Sequence, residues 1–136
     1  MNPRTLLSAT ALGLALIGFP ALFVPEVVAT WLELGAGATL PVQLFGGGLL
    51  SVAVLDWVGR GAIYGGIYGR PIVVANFGFA MLTSGTMLSA CLDGRVSPVG
   101  WVAVGIFAAQ AVGFFRLMRS PPWVPSDHTH ESVGSP

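Results

Sequence analysis

The chain has 136 residues, of which 54% are hydrophobic and 9% are charged, and its mean hydropathy is +0.77. Because a soluble domain has about 25% charged residues, this composition predicts a membrane protein that forms one compact unit. Its basic residues are all Arg and its formal net charge is zero, which argues against a basic patch for nucleic acid.

Four apolar segments are long enough to cross a membrane, which takes a helix of about 20 mostly apolar residues. They cover residues 6–24, 40–58, 71–92 and 98–118. Pro41, Pro71 and Pro98 stand where the last three would start, a position that suits proline. Pro20 predicts a kink or an early stop in the first span. The expected fold is all-α, with four transmembrane helices in an up-down bundle.

The first span also has some features of a cleaved signal peptide. Arg4 precedes the apolar run, and Val27-Val28-Ala29 offers a small residue at a possible cleavage point. A signal peptide usually has an apolar core of about 7–15 residues, and this run is longer. We therefore interpret it as a retained transmembrane helix.

A short helix is expected after the first span, in Pro25 to Leu34 ("PEVVATWLEL"), where Gly35 would end it. Val27, Val28, Trp31 and Leu32 would fall near one of its faces. Such a face suits the membrane interface, where Trp is favoured. Packing over the mouth of the bundle is the equal alternative.

The arginines predict the orientation of the chain. Positive residues in short loops stay on the cytoplasmic side of a membrane. If the N-terminus is inside, only Arg95 lies outside, and five arginines lie inside: Arg4, Arg60, Arg70, Arg116 and Arg119. The prediction is a multi-pass protein of the cell inner membrane with both termini in the cytoplasm.

Few polar residues lie inside the spans, and each needs a partner because an unpaired amide in hydrocarbon is costly. A rise of 1.5 Å per residue places Gln110 about 18 Å from Pro98, at about the depth of Thr83 and Ser84. We expect Gln110 to bond these two residues between helices. A water-lined pathway is the alternative, although no charged residue stands at the centre of a span, as proton-coupled transporters usually require.

Small residues recur every four positions in two of the spans. Gly105, Ala109 and Gly113 do so in the last span, and Gly47 and Ser51 in the second. This spacing permits close contact between helices. It predicts packing within the bundle, with self-association as the alternative.

The segment between the second and third spans, "DWVGRGAIYGGIYGRP" (56–71), is unusually polar for this chain. Asp56 and Arg60 are spaced to pair on one helix. Tyr64 and Tyr68 follow in a glycine-rich stretch that favours an irregular loop over a helix. With Arg70, and Asn76 from the third span, these residues are expected to converge at one end of the bundle.

Three interpretations of this cluster stay open. In the first, Tyr64 and Tyr68 anchor an interfacial loop while Asp56 and Asn76 form a structural polar cluster that ties helix ends together. In the second, Arg60 and Arg70 bind an anionic lipid headgroup or another anion, with the loop glycines supplying backbone N–H groups. In the third, Asp56 acts as a base, but no nucleophile paired with His or a metal is evident.

The end of the chain, residues 120–136, is rich in Pro and Ser and is expected to be a flexible cytoplasmic tail beyond the transmembrane domain of residues 1–119. Its potential metal ligands, Asp127, His128, His130 and Glu131, lack the surroundings that fix a metal site. We therefore expect no metal and no cofactor. Cys91 is the only cysteine, so the chain forms no internal disulfide.

Several short motifs resemble those of small bacterial inner-membrane proteins of four helices to which no activity has been assigned. They are Pro25-Glu26, Gln43 with Gly46 to Gly48, Asp56-Trp57 with Arg60, and "YGRPIVVAN" (68–76). The resemblance implies a fold and a location but no chemistry. Multidrug transporters of similar length are a poorer match, because they carry a Glu in the first span and this chain has none there.

The function expected from the sequence is that of an accessory or structural membrane component, not an enzyme. Its partners would be the lipid bilayer and another membrane protein or a second copy of itself. A small oligomeric transporter or channel, with a path past Gln110, is one alternative. An anionic-lipid-binding or lipid-modifying protein that uses the Asp56–Asn76 cluster is the other.

Overall fold

The computed structural model describes residues 3–35, 37–61 and 69–119, and 85% of them are helical. The helices are α1 (Pro3–Phe23), α2 (Pro25–Trp31), α3 (Thr39–Gly59), α4 (Gly69–Leu92) and α5 (Gly100–Arg119). The described residues contain no strand. The all-α prediction is therefore confirmed. Tyr64, Tyr68 and the expected tail lie outside the described residues.

Four of these helices, α1, α3, α4 and α5, are long and apolar enough to cross a membrane. They match the four expected spans to within three residues at either end. Pro41 and Pro71 lie inside the first turn of α3 and α4, and Pro98 lies just before α5. The first N–H groups of a helix have no acceptor within it, so proline is tolerated throughout the first turn. The chain is a multi-pass membrane protein.

The ends of the four long helices define two ends of the bundle. At the termini end, α1 and α4 begin and α3 and α5 end; at the α2 end lie α2 and the loop 93–99. Arg95 is at the α2 end, and the termini end holds the other five arginines: Arg4, Arg60, Arg70, Arg116 and Arg119. The arginines are therefore distributed between the two ends of the bundle as five and one, as the sequence predicts.

The short helix α2 stops at Trp31, three residues before the expected end. Glu33, not Gly35, takes the left-handed conformation that ends it, with a φ of 55°. The Leu34 N–H donates to the Ala29 carbonyl at 2.9 Å, which closes the helix in the manner of a Schellman motif. The expectation that Gly35 terminates this helix was wrong.

One side of α2 packs on the bundle and the other is exposed. Ala29 is buried with Ala21 and Val42, and Val28 packs against that cluster. Val27 and Trp31 are exposed. The residues expected on one face therefore have two different surroundings. Val28 packs against the bundle, whereas Trp31 is exposed, as suits a Trp at the membrane interface.

The loop that joins α4 to α5 is tied to α2. The Ser97 hydroxyl donates to the Trp31 carbonyl at 2.7 Å, and the Ser97 N–H donates to the Leu32 carbonyl at 3.1 Å. Ser97 is one of the few buried polar residues. These two bonds join the two halves of the chain at the α2 end.

The four long helices pack as two close pairs, α1 with α3 and α4 with α5. Gly18 and Gly46 lie where α1 and α3 cross. A Cβ atom added at Gly46 would lie 2.5 Å from the Leu22 nitrogen, and one added at Gly18 would lie 3.0 Å from the Gly46 carbonyl oxygen. Side chains here are excluded by backbone atoms, so both positions require glycine.

Larger side chains join the two pairs. Leu14, Leu49 and Ala53 of the first pair contact Phe107 of the second. Nearer the termini end, Leu7 packs with three residues of the second pair, Val73, Phe114 and Leu117. These clusters form the core of the bundle.

The small-residue spacings noted in the sequence do not mark the closest helix contact. A Cβ atom at Gly105 would meet nothing within 4 Å, and one at Gly47 would meet only Leu22 Cδ1 at 3.9 Å. Gly113 does face Leu6, at 3.2 Å. Packing within the bundle therefore accounts for Gly113 but not for Gly105.

We predict that Gly46→Ala destabilises the fold by about 1–3 kcal/mol, because the new methyl group collides with rigid backbone atoms. Gly48→Ala is the matched control, since a Cβ atom there meets nothing within 4 Å. The control should gain up to about 1 kcal/mol from helix propensity. Unfolding in detergent measures both variants, and equal stability would contradict the close crossing.

Candidate functional site

A buried carboxylate near the end of α3 is the centre of the first candidate site. Asp56 is fully buried, and its Oδ1 accepts a hydrogen bond of 2.5 Å from the Asn76 side-chain amide on α4. The same amide group also donates to the Ile72 carbonyl at 3.0 Å. Both donors of Asn76 are thereby used. Asp56 and Asn76 form the structural polar cluster that the sequence predicts.

Gln110 on α5 extends this cluster to a third helix. Its side-chain amide donates to Asn76 Oδ1 at 3.5 Å, the long limit of a hydrogen bond. Ser84, an expected partner of Gln110, instead donates to the Met81 carbonyl of its own helix. No hydrogen bond of Thr83 is found in the part of the chain that the structure describes. The expected pairing of Gln110 with Thr83 and Ser84 was wrong.

The observed helix limits explain the change of partner. Because α4 begins at Gly69 and α5 ends at Arg119, depth is best counted from these two residues at the termini end. Gln110 is then about 14 Å, Asn76 about 11 Å and Ser84 about 22 Å into the bundle. Gln110 therefore lies nearer the level of Asn76.

Asp56 and Arg60 do not form the expected ion pair. The Arg60 guanidinium carbon lies 3.3 Å from the centroid of the Trp57 ring, a cation–π arrangement. Arg60 follows the last residue of α3, and its side chain turns to Trp57 instead of returning to Asp56. Among residues 3–35, 37–61 and 69–119, Asp56 Oδ2 and Arg60 Nη1 are buried without a hydrogen-bond partner.

Arg70, the other arginine of the expected anion site, is exposed in the first turn of α4. Arg60 and Arg70 are thus both at the termini end. Tyr64 and Tyr68 fall outside the described residues, so the expected convergence of the whole loop stays a prediction. The structure brings together Asp56, Asn76 and Gln110 as one connected site.

The second candidate site is a helix face that sequence reasoning missed. Leu82, Gly85, Thr86 and Ser89 follow the i, i+3, i+4, i+7 spacing of one helix face, and all four are exposed. The last buried residue of α4 is Ala80, on the opposite side. We call these four residues the outward face of α4. Their helical spacing was the signal in the sequence that could have revealed it.

Polar groups lie on and beside the outward face of α4. In the described part of the chain, the Thr86 hydroxyl has no hydrogen-bond partner, and the Ser89 hydroxyl accepts only a long bond of 3.5 Å from Arg95. Arg95 also pairs with Asp93 at 2.7 Å. A shallow depression is lined by the four residues of this face together with Met81 and Arg95.

Metal ligands are not gathered at either site. The described ranges contain no group of three or more His, Cys, Asp or Glu residues that could hold a metal ion. Asp127, His128, His130 and Glu131 fall outside these ranges.

Comparisons with known proteins do not assign the chain to a family. No family model, no curated protein and no solved structure matches it. The function must therefore be argued from the two sites themselves.

We predict that Asn76→Leu lowers the free energy of unfolding by about 2–3 kcal/mol, because it leaves a buried carboxylate without its donor. Combining it with Asp56→Leu should restore part of this loss, since both polar groups are then removed. Ser84→Ala is the control, because Ser84 bonds only its own helix. Unfolding in detergent tests this, and a loss for Asn76→Leu no larger than that of the control would refute the role of the pair.

Proposed function

We propose that this protein is an accessory or structural component of a bacterial inner membrane that acts by packing against another membrane-embedded chain. The outward face of α4 is the contact surface in this proposal. The supporting observation is that α4 buries no residue after Ala80, although this half of the helix carries hydroxyl groups. Gly, Ser and Thr are enriched where transmembrane helices pack against each other.

The use of the other polar groups supports the same proposal. Asp56, Asn76 and Gln110 bond one another across three helices, and Ser51 bonds the Gly47 carbonyl of its own helix. The first three groups join helices of the bundle, and Ser51 is satisfied within its own helix. Thr86 on the outward face is different, because its hydroxyl has no hydrogen-bond partner among the described residues.

The proposed orientation places the termini end in the cytoplasm, and the positive-inside rule supports it. For a test, Glu26→Cys at the α2 end and Gly61→Cys at the termini end would each be made in a Cys91→Ala background. Both positions are exposed. A membrane-impermeant maleimide should label Glu26→Cys in cells whose outer membrane is permeabilised, and Gly61→Cys only after the inner membrane is opened. Labelling in the opposite order would reverse the topology.

Native mass spectrometry of gently extracted protein tests the accessory function. We expect a species heavier than the 14.1 kDa monomer that is lost in the variant Thr86→Leu with Ser89→Leu, because the polar contact surface is removed. Gly105→Leu is the control, since it adds a side chain in open space on α5. A bare monomer from the unmodified chain, or equal loss in the control, would refute the proposed contact surface.

Binding of an anionic lipid at the termini end is the second candidate function. It is favoured by Arg60 Nη1, which is buried without a partner in the described ranges, and by Arg70 in the next helix. Guanidinium groups bind phosphate by paired hydrogen bonds. The same spectra should show a retained anionic lipid that is released by Arg60→Ala with Arg70→Ala and kept by Arg95→Ala, at the other end. Retention in the double variant would reject this site.

A further inference from the structure

We propose that the chain occupying the outward face of α4 is a second copy of this protein, related to the first by a two-fold axis along the membrane normal. This inference rests on the proposed function and names its partner. It is argued from the shape of the face, from its hydroxyl groups and from the charges at its α2 end.

The shape of the face suits a helix of the same kind. Leu82, Gly85, Thr86 and Ser89 form one exposed face, and a Cβ atom at Gly85 would meet nothing within 4 Å. Gly85 and Ser89 are small residues four positions apart, the spacing at which two transmembrane backbones approach closely. A two-fold axis places the outward face of α4 of one copy against the same face of the other copy, so the two Gly85 residues occupy equivalent positions in the contact.

The hydroxyl groups on the face are self-complementary. A hydroxyl both donates and accepts a hydrogen bond, so Thr86 and Ser89 can be satisfied by the same residues of a second copy. A two-fold axis along the membrane normal places equal residues at equal depth. Both copies then keep the same topology, as the shared arginine distribution requires.

The charges at the α2 end are also self-complementary. Asp93 and Arg95 pair with each other while their side chains are 55% and 62% exposed, and an ion pair this exposed adds little stability within one copy. Arg95 lines the same depression as the outward face. In a two-fold pair, Asp93 of one copy can meet Arg95 of the other, and the symmetry then gives two such opposite-charge contacts.

The exposed side of α5 serves as the comparison. Gly105 and Ala109 are exposed there as well, but Trp101, Val102, Ile106 and Val112 around them are apolar. Lipid chains are as apolar as these side chains, so contact with lipid leaves no hydrophobic driving force for another helix to bind there. Of these two surfaces, the one on α4 combines open space for a backbone at Gly85 with the unpartnered Thr86 hydroxyl and an acid–base pair at its end.

Disulfide crosslinking of the full chain in membranes tests this proposal. Ser89→Cys in a Cys91→Ala background should form a dimer of twice the monomer mass on mild oxidation. Val102→Cys, exposed in the half of α5 nearer the α2 end, should form far less. Equal crosslinking at both positions would indicate random collision and overturn the proposal.

A second variant tests the close approach independently of cysteine chemistry. Gly85→Leu should weaken dimerisation in lipid at least about tenfold, whereas Gly105→Leu should leave it unchanged. Both glycines have open space, so neither variant should fail to fold. An undiminished dimer in Gly85→Leu overturns the proposal.

The outcomes separate this inference from the proposed function. If native mass spectrometry finds a different protein at the outward face of α4, the second copy is rejected and the accessory function is kept. A bare monomer that does not crosslink at Ser89→Cys rejects both.

Discussion

Hydrocarbon offers no hydrogen bonds, and this constraint decides where the polar side chains of the chain lie. Asn76 on α4 meets it by bonding Asp56 of α3 and Gln110 of α5. Other hydroxyls, such as that of Ser84, bond a carbonyl of their own helix. The groups left over are Asp56 Oδ2, Arg60 Nη1 and the Thr86 hydroxyl on the outward face of α4. They mark the positions where the described chain does not satisfy its own hydrogen-bonding groups.

The bundle combines two kinds of packing. Within the pair α1 and α3, Gly18 and Gly46 bring the backbones into direct contact. Between the pairs, Phe107 and Phe114 fill the space, and the edge-to-face contact of Phe79 with Phe107, with ring centroids 5.9 Å apart, helps to hold α4 against α5. Close backbone contact excludes every side chain larger than that of glycine, whereas the space between the pairs can be filled by more than one set of apolar side chains. The first pair is therefore the more rigidly specified part of the fold.

Helix number and limits could be predicted from the sequence because they depend on local composition and on proline positions. The pairing of Asp56 with Asn76 was also within reach, since the two residues lie on consecutive helices in the half of each that is nearer the termini end. The partner of Gln110 was not, because the expected levels of Gln110 and of Thr83 were counted from Pro98 and Pro71, at opposite ends of the bundle. Such levels can be compared only when both helix limits are known. The turn of Arg60 towards Trp57 depends on side-chain rotamers, which residue spacing does not reveal.

The two hydrogen bonds made by Ser97 differ in which substitutions they tolerate at each end. Both of them end on main-chain oxygens, those of Trp31 and Leu32, and every residue type carries such an oxygen. The indole of Trp31, which is 66% exposed, can accordingly be exchanged without breaking the connection. On the Ser97 side, the hydroxyl itself donates the bond to Trp31, so Thr is the replacement that would preserve it. The bond to Leu32 comes from the main-chain N–H and is kept by every residue type except proline. Tolerance to substitution is thus distributed unequally between two segments that touch.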